Sequence, residues 1–202
     1  MVLKVVSRKM RFHASRIKKE IVKKKTRVTL ITVRRQVRIA GRHTRGILCI
    51  GQHRLFCALG RFGVSAFKRE GDGATPLAKM RCLRGFRGNF YRSLPRSALS
   101  FRRIRAHDGW CDASGDTNYN RFVRLPYPKS AEKMQREDDL YAICLILDWN
   151  ITERKMAKGS AIFMHLARDN YQPTEGCIAL SRRDMERLLP YISQRTKVAV
   201  LA

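Results

Sequence analysis

The apolar segments of this chain mostly alternate with a period of two residues, and that pattern predicts β-strands more strongly than helices. β-Branched residues alternate over Arg27–Val33, and a similar alternation returns over Thr196–Leu201. Two apolar runs, Leu140–Asp148 and Ser160–Ala167, predict buried strands. Residues 46–58 predict a β-hairpin, because two short apolar runs flank a Gly-Gln-His turn. The fold is therefore expected to be mainly β.

One segment near the C-terminus departs from this pattern and predicts a helix. Ser181 and Asp184 form a Ser-x-x-Asp capping pattern, and both side chains suit the positive end of a helix dipole. Four apolar residues then share one helix face: Met185, Leu188, Leu189 and Ile192. The predicted architecture is mixed β-sheets with short helices, in which one C-terminal helix is followed by a final strand. The stretch from Gly85 to Lys133 has little regular pattern and is interpreted as long loops.

Positive charge is concentrated at the N-terminus. The chain has 43 Lys and Arg against 16 Asp and Glu, which gives a formal charge of +27 over 202 residues. Residues 1–45 alone hold 16 Lys or Arg and one acid, Glu20. We therefore interpret residues 1–25 as a basic extension and residues 26–202 as the folded domain. Four interpretations of the extension stay open: binding of nucleic acid through its phosphates, attraction to anionic lipid, a solvated tail, and sequence upstream of a true start at Met10.

Several kinds of protein and site are disfavoured by simple patterns. No apolar run approaches the roughly 20 residues of a membrane-spanning helix, so no integral membrane segment is expected. The apolar run in residues 1–6 is too short for a signal peptide, which favours the cytoplasm on sequence alone. Six cysteines lack a C-x-x-C pair and are expected to be free thiols: Cys49, Cys57, Cys82, Cys111, Cys144 and Cys177. Cys49, His53 and Cys57 lie four residues apart, but the predicted hairpin separates them, so no metal site is predicted.

His165 and Cys177 are the residues that most favour covalent chemistry. A cysteine nucleophile needs a base to take its proton, and an imidazole within hydrogen-bond reach supplies one. His165 lies near the end of a predicted strand, on the same side as Phe163, and Cys177 follows Gly176 in a turn. Gly176 permits close approach of backbone N–H groups, which would form an oxyanion hole. Each residue taken alone also fits an ordinary place in the core.

Further segments, in a fixed order along the chain, strengthen the interpretation of this pair. Glu70–Pro76, a turn-rich Glu-Gly-Asp-Gly-Ala-Thr-Pro segment, precedes Asp148-Trp149-Asn150. Gly159–His165 and Thr174–Leu180 follow, with Asp184 and Leu188 beyond them. Together these segments resemble the YkuD-type L,D-transpeptidase catalytic domain, a family of peptidoglycan-modifying cysteine enzymes. The resemblance covers about residues 27–202 and points to a short, compact proteobacterial branch of the family.

The resemblance implies a YkuD-like, mainly β fold and a reaction in peptidoglycan biosynthesis. Cys177 would attack the carbonyl of meso-diaminopimelate in a stem tetrapeptide and release the terminal D-Ala. An amine of a neighbouring stem would resolve the resulting thioester into an L,D cross-link. His165 would be the base, and the backbone N–H groups of Gly176 and Cys177 would be the oxyanion donors. The resemblance implies no metal and no organic cofactor, and carbapenem-type inhibitors are expected to bind.

Three positions differ from the common family pattern. Glu175 replaces a His and Ala179 replaces an Arg, while Leu166 stands where Gly commonly follows the base. Arg182 or Arg183 is a candidate to replace the missing Arg in substrate binding.

The loop after Asp108 supplies further candidates for substrate contact. Amides, a phenol hydroxyl and a guanidinium suit peptide backbone and carboxylates, and the loop has all three. The candidates are Asn118, Tyr119, Asn120 and Arg121. A structural loop packed by Trp110 and Tyr119 is the equal alternative.

Two other functions stay open. Resolution of the thioester by water would give an L,D-carboxypeptidase of cell-wall recycling, which free thiols and the lack of a recognised signal peptide favour. A basic nucleic-acid-binding protein is favoured by charge alone, and the charge also suits carboxylate-rich stem peptides and an anionic wall. The location also stays open. The lack of a recognised signal peptide favours the cytoplasm, whereas the family's substrates imply the cell envelope or periplasm.

Overall fold

The computed structural model describes residues 28–36, 45–89, 91 and 93–202, so the predicted basic extension over residues 1–25 lies outside the described residues. The strands of the described part are β1 (Leu30–Arg35), β2 (Arg45–Ile50), β3 (His53–Ala58), β4 (Val64–Ser65), β5 (Thr75–Pro76), β6 (Lys79–Arg87), β7 (Phe101–Arg103), β8 (Asp108–Cys111), β9 (Arg121–Arg124), β10 (Ala131–Lys133), β11 (Ile143–Leu147), β12 (Phe163–Leu166), β13 (Ile178–Leu180) and β14 (Lys197–Leu201).

Helical structure in the described residues is short. One α-helix, α1 (Arg182–Leu188), runs directly into a 3-10 turn at Leu189–Tyr191, and a second 3-10 turn covers Asp169–Tyr171. The hydroxyl of Ser181 accepts a hydrogen bond from the Asp184 backbone N–H at 3.1 Å, which confirms the predicted N-cap. None of the described helices has the length and apolarity that crossing a membrane requires.

Eight strands form a closed ring. Their order is β11-β12-β13-β3-β2-β1-β14-β6, and β6 pairs in turn with β11. A ninth strand, β7, adds to the ring on β6. Two smaller sheets complete the described structure: β10-β8-β9 and β4-β5. Closure leaves the eight strands of the ring paired on both sides, apart from irregular positions such as the bulge between β6 and β11.

At β11 and β12 the ring is covered by one apolar cluster on each of its two faces. Ile143, Leu145 and Leu147 of β11 belong to one cluster, together with apolar residues of α1. Cys144 and Ile146 belong to the other cluster. Because successive strand residues point to opposite faces, a strand buried on both sides has no polar positions. This double burial is why Leu140–Asp148 reads as an almost unbroken apolar run.

The second cluster lies between the ring and the sheet β10-β8-β9. Trp110 of β8 contacts Phe163 of β12 edge to face, with ring centroids 5.2 Å apart. Met134 follows β10 and is fully buried in the same cluster. This covered face of the ring carries the segments that the sequence marks as chemically active.

The sequence predicts most of this architecture. The mainly β fold, the hairpin β2–β3, the strands β11 and β12, the helix α1 and the final strand β14 are confirmed. The strand predicted over Arg27–Val33 is confirmed with shifted bounds, since β1 spans Leu30–Arg35 and Arg27 lies outside the described residues. The interpretation of Gly85–Lys133 as long loops is wrong, because this stretch holds the end of β6 and all of β7 to β10. Strands of three or four residues are too short to give a readable alternation.

The cysteines have the chemical state that the sequence predicts. All six are free thiols, and five of them are buried. In the hairpin, Cys49 pairs with Arg54 whereas Cys57 pairs with Gly46. The two thiols are therefore three residue pairs apart along the hairpin.

Candidate active site

Parallel pairing of β12 with β13 places His165 and Cys177 on the same face of the sheet. His165 is level with Ala179, and Met164 is level with Ile178. Side chains alternate along a strand, so Cys177, two residues before Ala179, points to the face that His165 occupies. Phe163 and Cys177 both belong to the cluster on that face. The register thus makes His165 the diagonal neighbour of the thiol.

The Cys177 thiol is held by two backbone groups. Its Sγ donates to the Ala161 carbonyl oxygen at 3.2 Å and accepts from the Phe163 backbone N–H at 3.4 Å. The residue is 9% exposed. Burial raises the pKa of the Cys177 thiol to about 12, against a smaller lowering from the Phe163 N–H. The resting sulfur is therefore a protonated thiol.

The His165 imidazole has a fixed proton position. Its Nδ1 lies 2.8 Å from the Leu166 carbonyl oxygen. A carbonyl oxygen only accepts, so Nδ1 carries the proton and Nε2 keeps a free lone pair. Tyr141 packs edge to face on the imidazole at 5.3 Å. Burial lowers the pKa of His165 to about 4.

These two states define what the pair can do. At neutral pH both groups are neutral, a thiol and an imidazole, because the pKa of Cys177 is near 12 and that of His165 is near 4. A preformed thiolate–imidazolium ion pair is disfavoured in such a buried place. The imidazole would instead take the proton during attack on a substrate carbonyl, as general bases do.

The turn before Cys177 requires glycine. Gly176 has φ +132°, and a Cβ there would lie 2.8 Å from the Ala74 carbonyl oxygen. The Gly176 backbone N–H donates to Thr174 Oγ1 at 3.2 Å, and that hydroxyl donates to the Cys177 carbonyl oxygen at 2.7 Å. An oxyanion would have to displace Thr174 from the Gly176 N–H. The oxyanion role of Gly176 and Cys177 stays a prediction.

The Glu70–Pro76 segment lies against this turn. Ala74 contacts Gly176, and the Thr75 hydroxyl accepts from the Gly60 backbone N–H at 2.8 Å. Gly60 in turn forms a β-bridge with Thr174. Segments that are about 100 residues apart in the sequence thus meet at the turn before Cys177.

Lys68 adds a buried positive charge beside the same turn. The side chain is almost fully buried, and its Nζ donates to Asp72 Oδ1 at 2.5 Å and to the Arg69 carbonyl oxygen at 2.7 Å. Its charge acts to lower the pKa of Cys177, although burial outweighs it. The sequence does not predict a role for Lys68, because a lysine in a turn usually lies in solvent.

A polar network next to His165 was also missed from the sequence. The Tyr141 hydroxyl donates to Glu132 Oε1 at 2.6 Å, and the Arg136 guanidinium lies 5.3 Å from the Tyr141 ring centroid. Arg136 also makes two hydrogen bonds to Asp138, at 2.8 and 2.7 Å. A cavity of about 200 Å³ adjoins this network and has Arg136, Asp139 and Tyr141 in its lining. The cavity therefore lies beside the tyrosine that packs on the His165 imidazole.

The predicted substrate residues fall into two groups. Tyr119 and Asn120 are each 1% exposed and bonded internally: the Tyr119 hydroxyl donates to Glu70, and Asn120 bonds Trp110, Trp149 and Ala161. These contacts favour the structural alternative for both residues.

The other three predicted substrate residues are more accessible. Asn118 is partly buried and donates to the Tyr127 hydroxyl at 2.9 Å. Arg121 is exposed at the start of β9. Arg182 is exposed, with its guanidinium 5.1 Å from the Tyr91 ring centroid and 3.8 Å from Asp139. Direct substrate contact stays a prediction for these residues.

Comparison with known protein families agrees with the geometry. The YkuD family, described as the L,D-transpeptidase catalytic domain, matches residues 21–200. Comparison with curated proteins and with solved structures gave no match. The family match spans nearly the whole chain and confirms the resemblance that the sequence segments predict. The chain belongs to the YkuD family of L,D-transpeptidase catalytic domains, which indicates a peptidoglycan-modifying enzyme.

Proposed function

We propose that the protein is a cysteine-dependent L,D-transpeptidase that forms L,D cross-links in peptidoglycan. The observation that carries this proposal is the diagonal placement of His165 beside the Cys177 thiol, set by the β12–β13 register. The unprotonated Nε2 of His165 supports a role as the base. Family membership supports the substrate class.

The acylation step follows from the neutral pair. The Cys177 sulfur attacks the carbonyl of meso-diaminopimelate, and His165 Nε2 takes the thiol proton as the C–S bond forms. Collapse of the tetrahedral intermediate breaks the amide bond, and the protonated imidazole returns its proton to the leaving D-Ala amine. The products of this step are a thioester on Cys177 and free D-Ala.

In the second step the stem amine is the attacking group and Cys177 is the leaving group. An amine of a neighbouring stem attacks the thioester, and neutral His165 accepts one of its protons. Cys177 leaves as a thiolate and is protonated by the imidazolium, which restores the neutral pair. If water replaces the amine, the same proton transfers give a tripeptide, and the protein is an L,D-carboxypeptidase.

The charge of the chain suits a peptide that carries several carboxylates. The chain has a net charge of +27, which attracts polyanionic ligands over distances of a Debye length. Glu175, which replaces the family's histidine, forms an ion pair with Arg61 at 2.7 Å. That pairing offsets the negative charge which the replacement adds next to the nucleophile.

The proposal is tested by the products made from a disaccharide-tetrapeptide. We expect mass spectrometry to detect loss of one D-Ala together with a cross-linked dimer. A monomeric tripeptide alone would identify a carboxypeptidase and contradict the transfer step. An unchanged substrate would contradict both reactions, and the nucleic-acid-binding alternative would then be tested with a labelled oligonucleotide at two salt concentrations.

A further inference from the structure

The carbonyl that holds the Cys177 thiol belongs to a residue in an unusual backbone conformation. Ala161 has φ +50°, a left-handed value that is unfavourable for an alanine. Its carbonyl oxygen accepts the S–H of Cys177 at 3.2 Å. Such conformations persist where surrounding groups fix them, and they cluster at functional sites. The direction of this carbonyl, and hence of the thiol, depends on what restrains Ala161.

The restraint comes from Asn120. Its Oδ1 accepts from the Ala161 backbone N–H at 3.1 Å and from Trp110 Nε1 at 2.9 Å. Its Nδ2 donates to the Trp149 carbonyl oxygen at 3.0 Å. The amide oxygen of Asn120 thus has two donors and the amide nitrogen has one acceptor, and these three bonds fix the orientation of the amide. The side chain is 1% exposed, so these bonds lie away from water and are costly to lose.

We propose that Asn120 is a positioning residue for the nucleophile, which it orients through the Ala161 peptide. This inference rests on the proposed function, in which Cys177 is the attacking group. Asn120 fixes the left-handed conformation of Ala161, and the Ala161 carbonyl then sets the direction of the Cys177 S–H bond. The role differs from the substrate contact that the sequence predicts for Asn120.

The proposal has two chemical consequences. Because the Ala161 carbonyl accepts from the thiol, it stabilises the protonated sulfur, and its loss would lower the pKa of Cys177. The same loss would leave the sulfur free to rotate away from the direction of attack, and misplacement by about 1 Å costs roughly 10²-fold in rate. A positioning role therefore predicts a more ionised but less productive thiol.

Asn120→Gly tests this with little backbone strain, because Asn120 has φ +56°, which glycine adopts freely. We expect kcat to fall about 10²-fold, KM to change less than about twofold, and the pH midpoint for alkylation of Cys177 by iodoacetamide to move down. Asn170→Gly is the matched control, since Asn170 has φ +57° and lies exposed on a 3-10 turn. The control should leave all three quantities unchanged.

A rise in KM with kcat and alkylation unchanged would overturn the proposal and assign Asn120 to substrate binding. Unchanged values of all three would overturn it as well. Asn120→Asp keeps the acceptor for Ala161 and should retain an intermediate kcat, and it carries the test if the glycine variant fails to fold. Alkylation needs no peptidoglycan, so its result stands even where the wild-type protein shows no turnover and the proposed function fails.

Discussion

Replacing Cys177 with alanine is expected to lower the turnover of disaccharide-tetrapeptide by at least about 10³-fold, because no other group can form the thioester. The remaining contacts of the turn, such as the Thr174 hydroxyl on the Cys177 carbonyl oxygen, involve the backbone and should survive. The fold is therefore expected to be kept. Turnover is measured by release of D-Ala, and the fold by circular dichroism and the unfolding midpoint.

Cys144→Ala is the matched control for this variant. Cys144 is a fully buried thiol in the same apolar cluster, on the neighbouring part of the sheet. Losing it removes a sulfur of the same size from the same core, so both variants pay a similar packing cost. Equal loss of turnover in the two variants would mean that the effect is structural and that the nucleophile is misassigned.

His165→Asn is expected to lower turnover by about 10²–10⁴-fold, the range for loss of a general base. Asparagine can place an N–H near the position of Nδ1 and donate to the Leu166 carbonyl oxygen, so the local structure should be kept. It has no group that takes a proton. Retention of more than about one tenth of wild-type turnover would contradict the assignment of His165 as the base.

The same residue sets the expected pH dependence. The pKa of His165 is lowered to about 4 by burial, so the neutral base is present above that pH. Acylation of the free enzyme should therefore rise as pH passes about 4 and show no inflection at the ordinary histidine value near 6.5. An inflection near 6.5 in kcat/KM would contradict the buried, neutral imidazole.

Stability gives an independent readout of this shift. A histidine whose pKa is lower in the folded state stabilises the fold above its unfolded pKa, and that contribution is lost as pH falls towards the folded value. The window is therefore about pH 6.5 to 4 for His165, and the loss is on the order of 3 kcal/mol. His165→Asn should remove this part of the pH dependence of the free energy of unfolding.

The parts of the fold that were predictable are those whose periodicity extends over five or more residues. β2 buries alternate residues, and α1 buries Met185 and Leu188 on one face. The sheet β10-β8-β9 was not predictable, because β8 reads Asp-Gly-Trp-Cys and has no apolar alternation. Asp108 of this strand is buried and forms an ion pair with Arg102 at 2.5 Å. The strand sequence alone does not indicate that pairing.

The candidate site divides in a similar way. The sequence points to His165 and Cys177 because a thiol nucleophile requires a base and because their segments resemble a known family. The β12–β13 register places both side chains on one face, and their catalytic roles stay predictions. The groups that contact these two side chains were not predictable. The Ala161 carbonyl accepts from the thiol in a left-handed backbone conformation, and the Tyr141 ring packs on the imidazole from a position just before β11. Neither residue type carries a chemical signal in sequence.

The most direct test of a thioester on Cys177 is the mass of the acylated protein. After incubation with a carbapenem, intact-mass spectrometry should detect one added inhibitor mass on the wild type, and digestion should place it on the peptide that contains Cys177. Cys177→Ala should gain no mass under the same conditions. An adduct that persists in Cys177→Ala, or that maps to another cysteine, would contradict the claim that the Cys177 sulfur forms the thioester.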